Sequence, residues 1–277
     1  MKRNRLIGNI VKYVVLALIL LFLLFPLLWV LLTSFKTNME AYKFPPTLIP
    51  ESPTVQSYID LFTKNNEFFI YYKNNFLVAG GAALMTTLIA IMSGYALSRF
   101  HFKWNGWIVA AFTSAQMFPI ISRLISLYKI MGDVHLINTR IGLVFAVGAS
   151  MLPFTIMLMS SFYDGIPVEL EEAAQIDGAN RFQRLWKVTV PMMMPSITIC
   201  IFLSITNGFK LFDQNLSLTA GEPAKMSEMM ALNIFNTFYG RTGWEGVGQA
   251  KAVLFFILVV AIGMIQLRMT RSKEVQQ

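Results

Sequence analysis

The side chains that could do chemistry are few and scattered along the chain. His101 and His135 lie far apart, and neither belongs to an H-E-x-x-H pattern or a cysteine and histidine group that could hold a metal ion. The sequence contains no G-x-S-x-G nucleophile motif and no G-x-x-x-x-G-K-[ST] phosphate-binding loop. We therefore expect neither catalysis nor metal binding, and we do not expect this chain to hydrolyse ATP itself.

One stretch concentrates charged residues, and it runs from Asp164 to Pro195. Pro167 suits the first turn of a helix, where its missing N–H group is not needed. Three carboxylates follow where the positive end of a helix favours them: Glu169, Glu171 and Glu172. Two alanines then favour the helix and leave it a narrow face, and Gly178 is placed to end it in a left-handed conformation.

A second helix is predicted directly after that glycine. Asn180 can cap it, and Gln183 completes a capping-box pattern three residues later. Helical spacing gives this helix an apolar face, made of Phe182, Leu185, Trp186 and Thr189. Pro191 and Pro195 are expected to break it. Such a helical hairpin could pack beneath its own protein, or its small acidic first helix could insert into a groove of another protein.

The rest of the chain is built for lipid. Of its 277 residues 55% are hydrophobic and 14% are charged, and the mean hydropathy is +0.56. The apolar residues form blocks of about 20, the length that spans a bilayer. The sequence predicts an all-α integral membrane protein with a single domain over residues 1–277. Its six expected spans are residues 13–32, 76–97, 104–128, 141–162, 195–216 and 247–267.

The charge pattern predicts the orientation of these spans. The net charge of +8 lies largely beside apolar blocks and forms no basic stripe interleaved with aromatic residues, which excludes nucleic-acid binding. The N-terminus, with Lys2, Arg3 and Arg5, and the turn with Arg99, His101 and Lys103 are basic and free of acids. We expect both segments, both termini and the Asp164–Pro195 stretch on the cytoplasmic side. The single Cys200 excludes an intrachain disulfide.

The charged stretch also carries a family resemblance. Glu172-Ala173-Ala174, then Gly178, then Val188-x-Val190-Pro191 resembles the EAA loop of ABC importer permeases, with valine at two positions where the family has isoleucine and leucine. The segment from Gly94 to Phe100 resembles the Tyr-Ala-x-x-Arg-Phe signature of the carbohydrate-uptake branch, in particular its maltose-type second permease. Ala220, where two consecutive glycines are more common, departs from that pattern.

The resemblance implies a six-helix ABC importer permease fold in the bacterial inner membrane, with a coupling loop over residues 164–194. It implies three partners: a second permease subunit in a heterodimer, an ABC ATPase dimer, and an extracytoplasmic sugar-binding protein. ATP and magnesium would bind to the ATPase, with no cofactor on this chain. The residues implied in coupling are Glu171, Glu172, Ala173, Ala174, Asp177, Gly178, Ala179 and Pro191. Glu172 would be the anchor to a basic residue of the ATPase, and the cargo would be an oligosaccharide.

Polar residues at membrane depth are candidates for the transport pathway, because they are costly there. Gln116 lies in the expected third span, and three more polar residues lie in the fifth: Asn207, Lys210 and Asp213. Phe209 and Phe212 could supply apolar faces for a sugar. Alternatively, Lys210 and Asp213 form a helix-surface pair, the two amides hold helices together, and the aromatic rings only pack.

Three other functions remain open from the sequence. A glycerol-phosphate-type ABC permease shares much of the same pattern. An ion-driven secondary transporter would work without an ATPase, although the sequence shows no convincing internal repeat. A non-transporting membrane scaffold needs only the helical hairpin and leaves the family resemblance unexplained.

Overall fold

The computed structural model describes residues 2–64, 67–100 and 102–271, without the side chains of residues 2–8 and 269–271. The topology prediction for Lys2, Arg3, Arg5 and His101 therefore rests on groups outside this description. The helices are α1 Lys2–Ser34, α2 Asn38–Ala41, α3 Gln56–Thr63, α4 Phe68–Arg99, α5 Asn105–Met117, α6 Ile120–Asp133, α7 Arg140–Asp164, α8 Glu169–Ile176, α9 Arg181–Arg184, α10 Val190–Met192, α11 Met194–Phe209, α12 Asp213–Leu218, α13 Met230–Gly240 and α14 Glu245–Arg271. A π-helical segment, Leu185–Thr189, joins α9 to α10.

The chain divides into two compact units. The first holds the residues up to Phe68 together with Ile234–Ile257, and the second holds Phe69–Asn233 and the residues from Leu258 onward. The charged stretch and all the pathway candidates lie in the second unit. Two apolar clusters form the core of this second unit, one around Met159 and Tyr163 and the other around Leu143 and Ala146.

Four helices are long and apolar enough to cross a membrane: Asn9–Ser34, Phe68–Arg99, Arg140–Asp164 and Glu245–Arg268. Two bent pairs qualify when each pair is taken together, Asn105–Met117 with Ile120–Asp133 and Arg181–Met192 with Met194–Phe209. By length and composition the described chain therefore has four spans, or up to six if each bent pair is one span. The six expected spans correspond to these elements, but two of them are broken.

The third expected span, residues 104–128, is not one helix. α5 ends at Met117 and α6 begins at Ile120, and the two are bent by 107°. Pro119 causes the break, because it has no N–H group to continue the helix and it disfavours the helical conformation of the preceding residue. Phe118 is accordingly extended, with φ −72° and ψ 133°.

The fifth expected span, residues 195–216, also ends early. α11 stops at Phe209, and a short helix, α12, begins only at Asp213. Asn75 of α4 donates a hydrogen bond to the Phe209 carbonyl at 3.0 Å, which satisfies one of the terminal acceptors of α11. Leu211 in the break turns into the apolar core. These contacts come from distant parts of the chain, so hydropathy could not place the break.

The second expected span, residues 76–97, begins eight residues earlier than predicted, at Phe68. Asn74 and Asn75 made this part read as a polar connection, yet both are fully buried. Asn74 donates to the carbonyls of Met226 and Glu228, and Asn75 accepts from the Met230 amide. Because the segment after α12 accepts hydrogen bonds from Asn74 and donates one to Asn75, the helix continues through both residues.

Candidate functional site

The charged stretch forms the first helix, the turn and the start of the second helix that its sequence predicts. α8 ends in a turn in which the Ala179 amide donates to the Ala174 carbonyl at 2.9 Å and the Gly178 amide donates to Gln175 at 3.0 Å. This pair of bonds is a Schellman motif, which needs a left-handed residue after the helix. Gly178 supplies it with φ +88°. The prediction that this glycine terminates the helix is confirmed.

The second half of the stretch begins with the predicted cap. The Gln183 amide donates to the Asn180 side chain at 2.8 Å, and the Gln183 side chain accepts from the Asn180 amide at 2.9 Å. The helix widens into the π-helical segment and continues through Pro191 to Met192. It then breaks at Met193 with a bend of 74°, between the two prolines that were expected to break it. The wider turn accommodates a residue that cannot donate a backbone hydrogen bond.

Glu171 is the residue that fixes α8 to the rest of the second unit. Its carboxylate is 2.9 Å from Nε of Arg99, at the end of α4, and it accepts a second hydrogen bond from the Tyr95 hydroxyl at 2.8 Å. The Arg99 and Glu171 side chains are only 10% and 6% exposed. Arg99 also donates to the Ile166 carbonyl at 2.9 Å, in the turn before α8. The carboxylate and guanidinium together therefore fix both α8 and the chain that leads into it.

The end of α4 is itself held against α7. A Cβ at Gly94 would lie 3.0 Å from the Met159 side chain and the Ser160 amide, so only glycine permits this approach without a shift. At the next residue the ring of Tyr95 packs edge-on against Tyr163 at 5.6 Å. The Gly94–Phe100 signature thus has a physical purpose: it positions Tyr95 and Arg99 to receive Glu171.

The opposite face of α8 is exposed. Helical spacing places four residues in one row, Glu169, Glu172, Ala173 and Ile176, which we call the α8 stripe. Ile176 is 86% exposed. On α9, Phe182 is 70% exposed as well. Ile176 and Phe182 are thus exposed apolar side chains on a charged segment, next to the carboxylates of Glu169 and Glu172. Together these residues form a surface suited to binding another protein.

The remaining coupling candidates lie at the edges of this surface. Asp177, Gly178 and Pro191 are exposed, and Ala174 and Ala179 are half-buried. Gln175 accepts a hydrogen bond from Arg184, which ties α8 to α9. The three adjacent glutamates therefore divide into two groups: Glu169 and Glu172 face outward, and Glu171 faces inward.

A second feature lies in the same unit, a cavity of about 660 Å³ between α5, α6, α7, α11 and α12. We call it the α6 cavity. Asn207 is the one predicted pathway residue that lines it. Arg123, Ser150 and Gln214 contribute polar groups, and most of the other lining residues are apolar.

The other pathway candidates lie elsewhere in the second unit. Gln116 is exposed and donates to the Phe112 carbonyl on its own helix. Phe209 is 2% exposed and packs edge-on against Phe76 at 5.1 Å, so it is a packing residue. Lys210 and Asp213 are exposed. They do not form the helix-surface pair considered as their alternative, because α11 ends before Lys210, α12 begins only at Asp213, and the contacts of the described residues include no ion pair of the two. Phe212 precedes α12 and is half-buried.

Sequence reasoning assigned no role to four residues that organise these two sites. The sequence placed Tyr95 and Arg99 in a signature and Arg99 also in a basic turn, and Arg123 and Gln214 were not candidates. The sequence did offer a signal for Arg123, because a positively charged residue within an apolar span is often functional. No comparable signal exists for Tyr95 and Arg99, whose partner lies more than 70 residues away.

Comparison with known proteins identifies the family. The family model for the binding-protein-dependent transport system inner membrane component matches residues 86–273, which include the α6 cavity, α8 and its partner Arg99. The chain belongs to this family. It is therefore a permease subunit, a multi-pass membrane protein and a transport component rather than an enzyme, and the predicted membership of the ABC importer permeases is confirmed.

Individual relatives agree with this membership. The chain is 28% identical to the sulfoquinovosyl glycerol transport system permease protein of Agrobacterium fabrum over 94% of this chain and 90% of the relative. It is 35% identical to an inner membrane ABC transporter permease protein of Escherichia coli over 72% of this chain and 71% of the relative. A bacterial ABC transporter involved in the import of the acidic polysaccharide alginate has a similar fold, with a TM-score of 0.80 at 20% identity, over 96% of this chain and 97% of that one. The predicted all-α permease fold is confirmed.

Proposed function

We propose that this permease forms half of the membrane pathway of an ATP-driven importer for an oligosaccharide, and that α8 couples it to a separate ATPase. The observation that carries the proposal is the two-sided arrangement of α8. One side is fixed by the buried Glu171–Arg99 ion pair, and the other presents the α8 stripe. A helix that is rigidly held on one side and exposed on the other can transmit a push from a partner into α4 and α7.

The proposed partners are those that the family resemblance implies. An ATPase dimer binds ATP and magnesium and receives the α8 stripe, with Glu172 as its polar anchor. A second permease subunit completes the pathway as a heterodimer, and an extracytoplasmic binding protein delivers the sugar. Residues 1–277 act as one permease domain with both termini in the cytoplasm. ATP binding then moves a bundle with two stable arrangements, which the loop biases from a distance.

The cargo class is supported by the relatives. One of them is named for sulfoquinovosyl glycerol transport, and the structural neighbour is involved in the import of a polysaccharide. A cavity of about 660 Å³ falls in the usual range for ligand sites, about 300–1,000 Å³. Asn207 is the pathway candidate placed to contact a sugar there.

Site-directed crosslinking tests the coupling surface. The single native cysteine, Cys200, is buried, so a cysteine introduced at Ala173 on the α8 stripe is the accessible thiol of the described chain. We expect A173C to crosslink to cysteines in a cleft of the co-purified ATPase, with a yield that changes when ATP is added. Lys187 is exposed in the same stretch but lies outside the stripe, so K187C is the matched control. Equal yields from both variants would contradict the proposed surface.

Uptake by the complete transporter tests the function. Glu172→Ala and Gly178→Asp should abolish sugar uptake while the chain still inserts into the membrane. Unimpaired uptake by both variants would reject the role of this loop. Reconstitution of the chain without any ATPase addresses the ion-driven alternative, because ion-driven uptake under those conditions would replace this proposal.

A further inference from the structure

The α6 cavity contains an unbalanced positive charge. Arg123 lines it, and no acidic side chain of the described residues does. Arg123 belongs to none of the ion pairs of the described chain, and its Nε is buried without a hydrogen-bond partner. A guanidinium within an apolar helix pair is costly, and such residues commonly serve a ligand or a pathway.

The helix that carries Arg123 adds to this positive potential. α6 begins at Ile120 after the proline break, and its N-terminal turn has neither a side-chain cap nor an acidic residue. Arg123 lies in that first turn, so the uncapped amides and the guanidinium lie at the same end of α6. The amides at the start of a helix carry partial positive charge and attract anions, as the half-helices of other transporters do.

Other residues that line the cavity offer groups that match hydroxyls. Gln214 of α12 is 9% exposed, and its Oε1 is buried without a hydrogen-bond partner. Its Nε2 donates to the Ser150 hydroxyl at 3.1 Å, which orients the amide. Ser122 and Ser126 of α6 also line the cavity. The site therefore combines an unpaired acceptor and several hydroxyls with one unpaired cation.

We propose that the α6 cavity is a subsite for a polyhydroxylated cargo that carries an anionic group, with Arg123 and the start of α6 receiving the anion and Gln214 accepting a hydrogen bond from a hydroxyl. This inference rests on the proposed function as an importer and names the charge class of its cargo. An acidic saccharide and a polyol phosphate share the required chemistry, and the experiment separates them.

Equilibrium binding to the purified complex of both permeases and the ATPase provides the test. The probes are a disaccharide that ends in glucuronic acid, the same disaccharide ending in glucose, and glycerol 3-phosphate. We expect the acidic disaccharide to bind more tightly than the neutral one, and Arg123→Gln to weaken its binding about ten- to a hundredfold, the effect of losing a hydrogen bond to a charged group. Tighter binding of glycerol 3-phosphate than of either disaccharide, lost in the same variant, assigns the site to a polyol phosphate instead.

Three further variants separate the roles of the lining residues. Arg123→Lys keeps the charge and should retain part of the preference for the anion. Gln214→Leu should weaken both disaccharides by a similar factor, because it removes a contact to a hydroxyl. Lys129 is an exposed cation on the same helix that does not line the cavity, so Lys129→Gln should change neither.

Two results would overturn the inference alone. The first is equal binding of acidic and neutral disaccharides by the unaltered complex, or a preference that survives Arg123→Gln. The second is loss of the second permease from purified Arg123→Gln complexes, which would make Arg123 an interface residue. If cells with the complete transporter take up the neutral saccharide in either case, the proposed function stands. If they take up no saccharide or polyol phosphate, both the function and this inference are wrong.

Discussion

The buried pair of Arg99 and Glu171 yields a quantitative prediction about α8 and the charged stretch around it. α8 has eight residues, too few to be stable alone, so its order depends on its packing. Glu171→Gln removes the charge of the carboxylate and leaves the Arg99 guanidinium, 10% exposed, without its counter-ion. Breaking a buried pair from one side costs about 3–5 kcal/mol.

That cost applies to the local opening of α8, because the pair joins this helix to the end of α4. An energy of about 3–5 kcal/mol corresponds to roughly two to three and a half orders of magnitude in an opening equilibrium. We therefore expect hydrogen exchange of the α8 amides to accelerate by about that factor in Glu171→Gln. The acceleration cannot exceed the protection against exchange that these amides have in the unaltered protein. The measurement is hydrogen exchange with mass spectrometry on the purified complex.

The neighbouring carboxylate supplies a matched control. Glu172 is exposed, so Glu172→Gln should change α8 exchange by less than about 0.5 kcal/mol, the usual range for surface substitutions. The double variant Arg99→Met, Glu171→Met removes both charges and should cost less than the two single variants summed. Equal exchange in Glu171→Gln and Glu172→Gln would refute the assignment of an inward and an outward glutamate.

Two further predictions concern the turn after α8 and the connection between α1 and α3. Gly178→Ala should destabilise the α8 turn by about 1–2 kcal/mol, because φ +88° is unfavourable for a side chain, whereas Gly165→Ala at φ −77° should have little effect; thermal unfolding of the two variants decides this. The pKa of Glu40 is lowered, first by the hydrogen bond from the Glu51 amide. The charged carboxylate therefore stabilises the connection fully above the usual glutamate pKa of about 4, and this stabilisation is lost as the pH falls through the lowered pKa. Proteolysis near Glu51 should therefore increase in acid, and Glu40→Gln should be cleaved readily at every pH; a variant with unchanged pH dependence would contradict this.

Features of the chain that depend on near neighbours could be predicted from the sequence. The turn at Gly178 and the capping box of Asn180 and Gln183 were placed correctly, since each is formed by residues within a few positions of one another. The apolar blocks located the spans, because bilayer thickness sets their length. The breaks within the spans were not predicted. Pro119 is present in the sequence, but residues 104–128 were expected to form one span without a break.

The tertiary structure decided which of two adjacent glutamates holds α8 in place and which faces outward. Glu171 and Glu172 are chemically identical, and their order in the sequence does not distinguish them. Arg99 and Tyr95 distinguish them, because both are brought by α4 to the side of α8 on which Glu171 lies. In the same way Asn75 ends α11, and the α6 cavity forms only where Arg123 and Gln214 meet from different helices. The sequence by itself determined a membrane protein with several apolar spans and a charged helical hairpin, since periodicity and local caps encode both, and its motifs pointed to the permease family. The tertiary structure decided whether each charged side chain faces inward or outward, because a buried charge is tolerated only where a partner satisfies it.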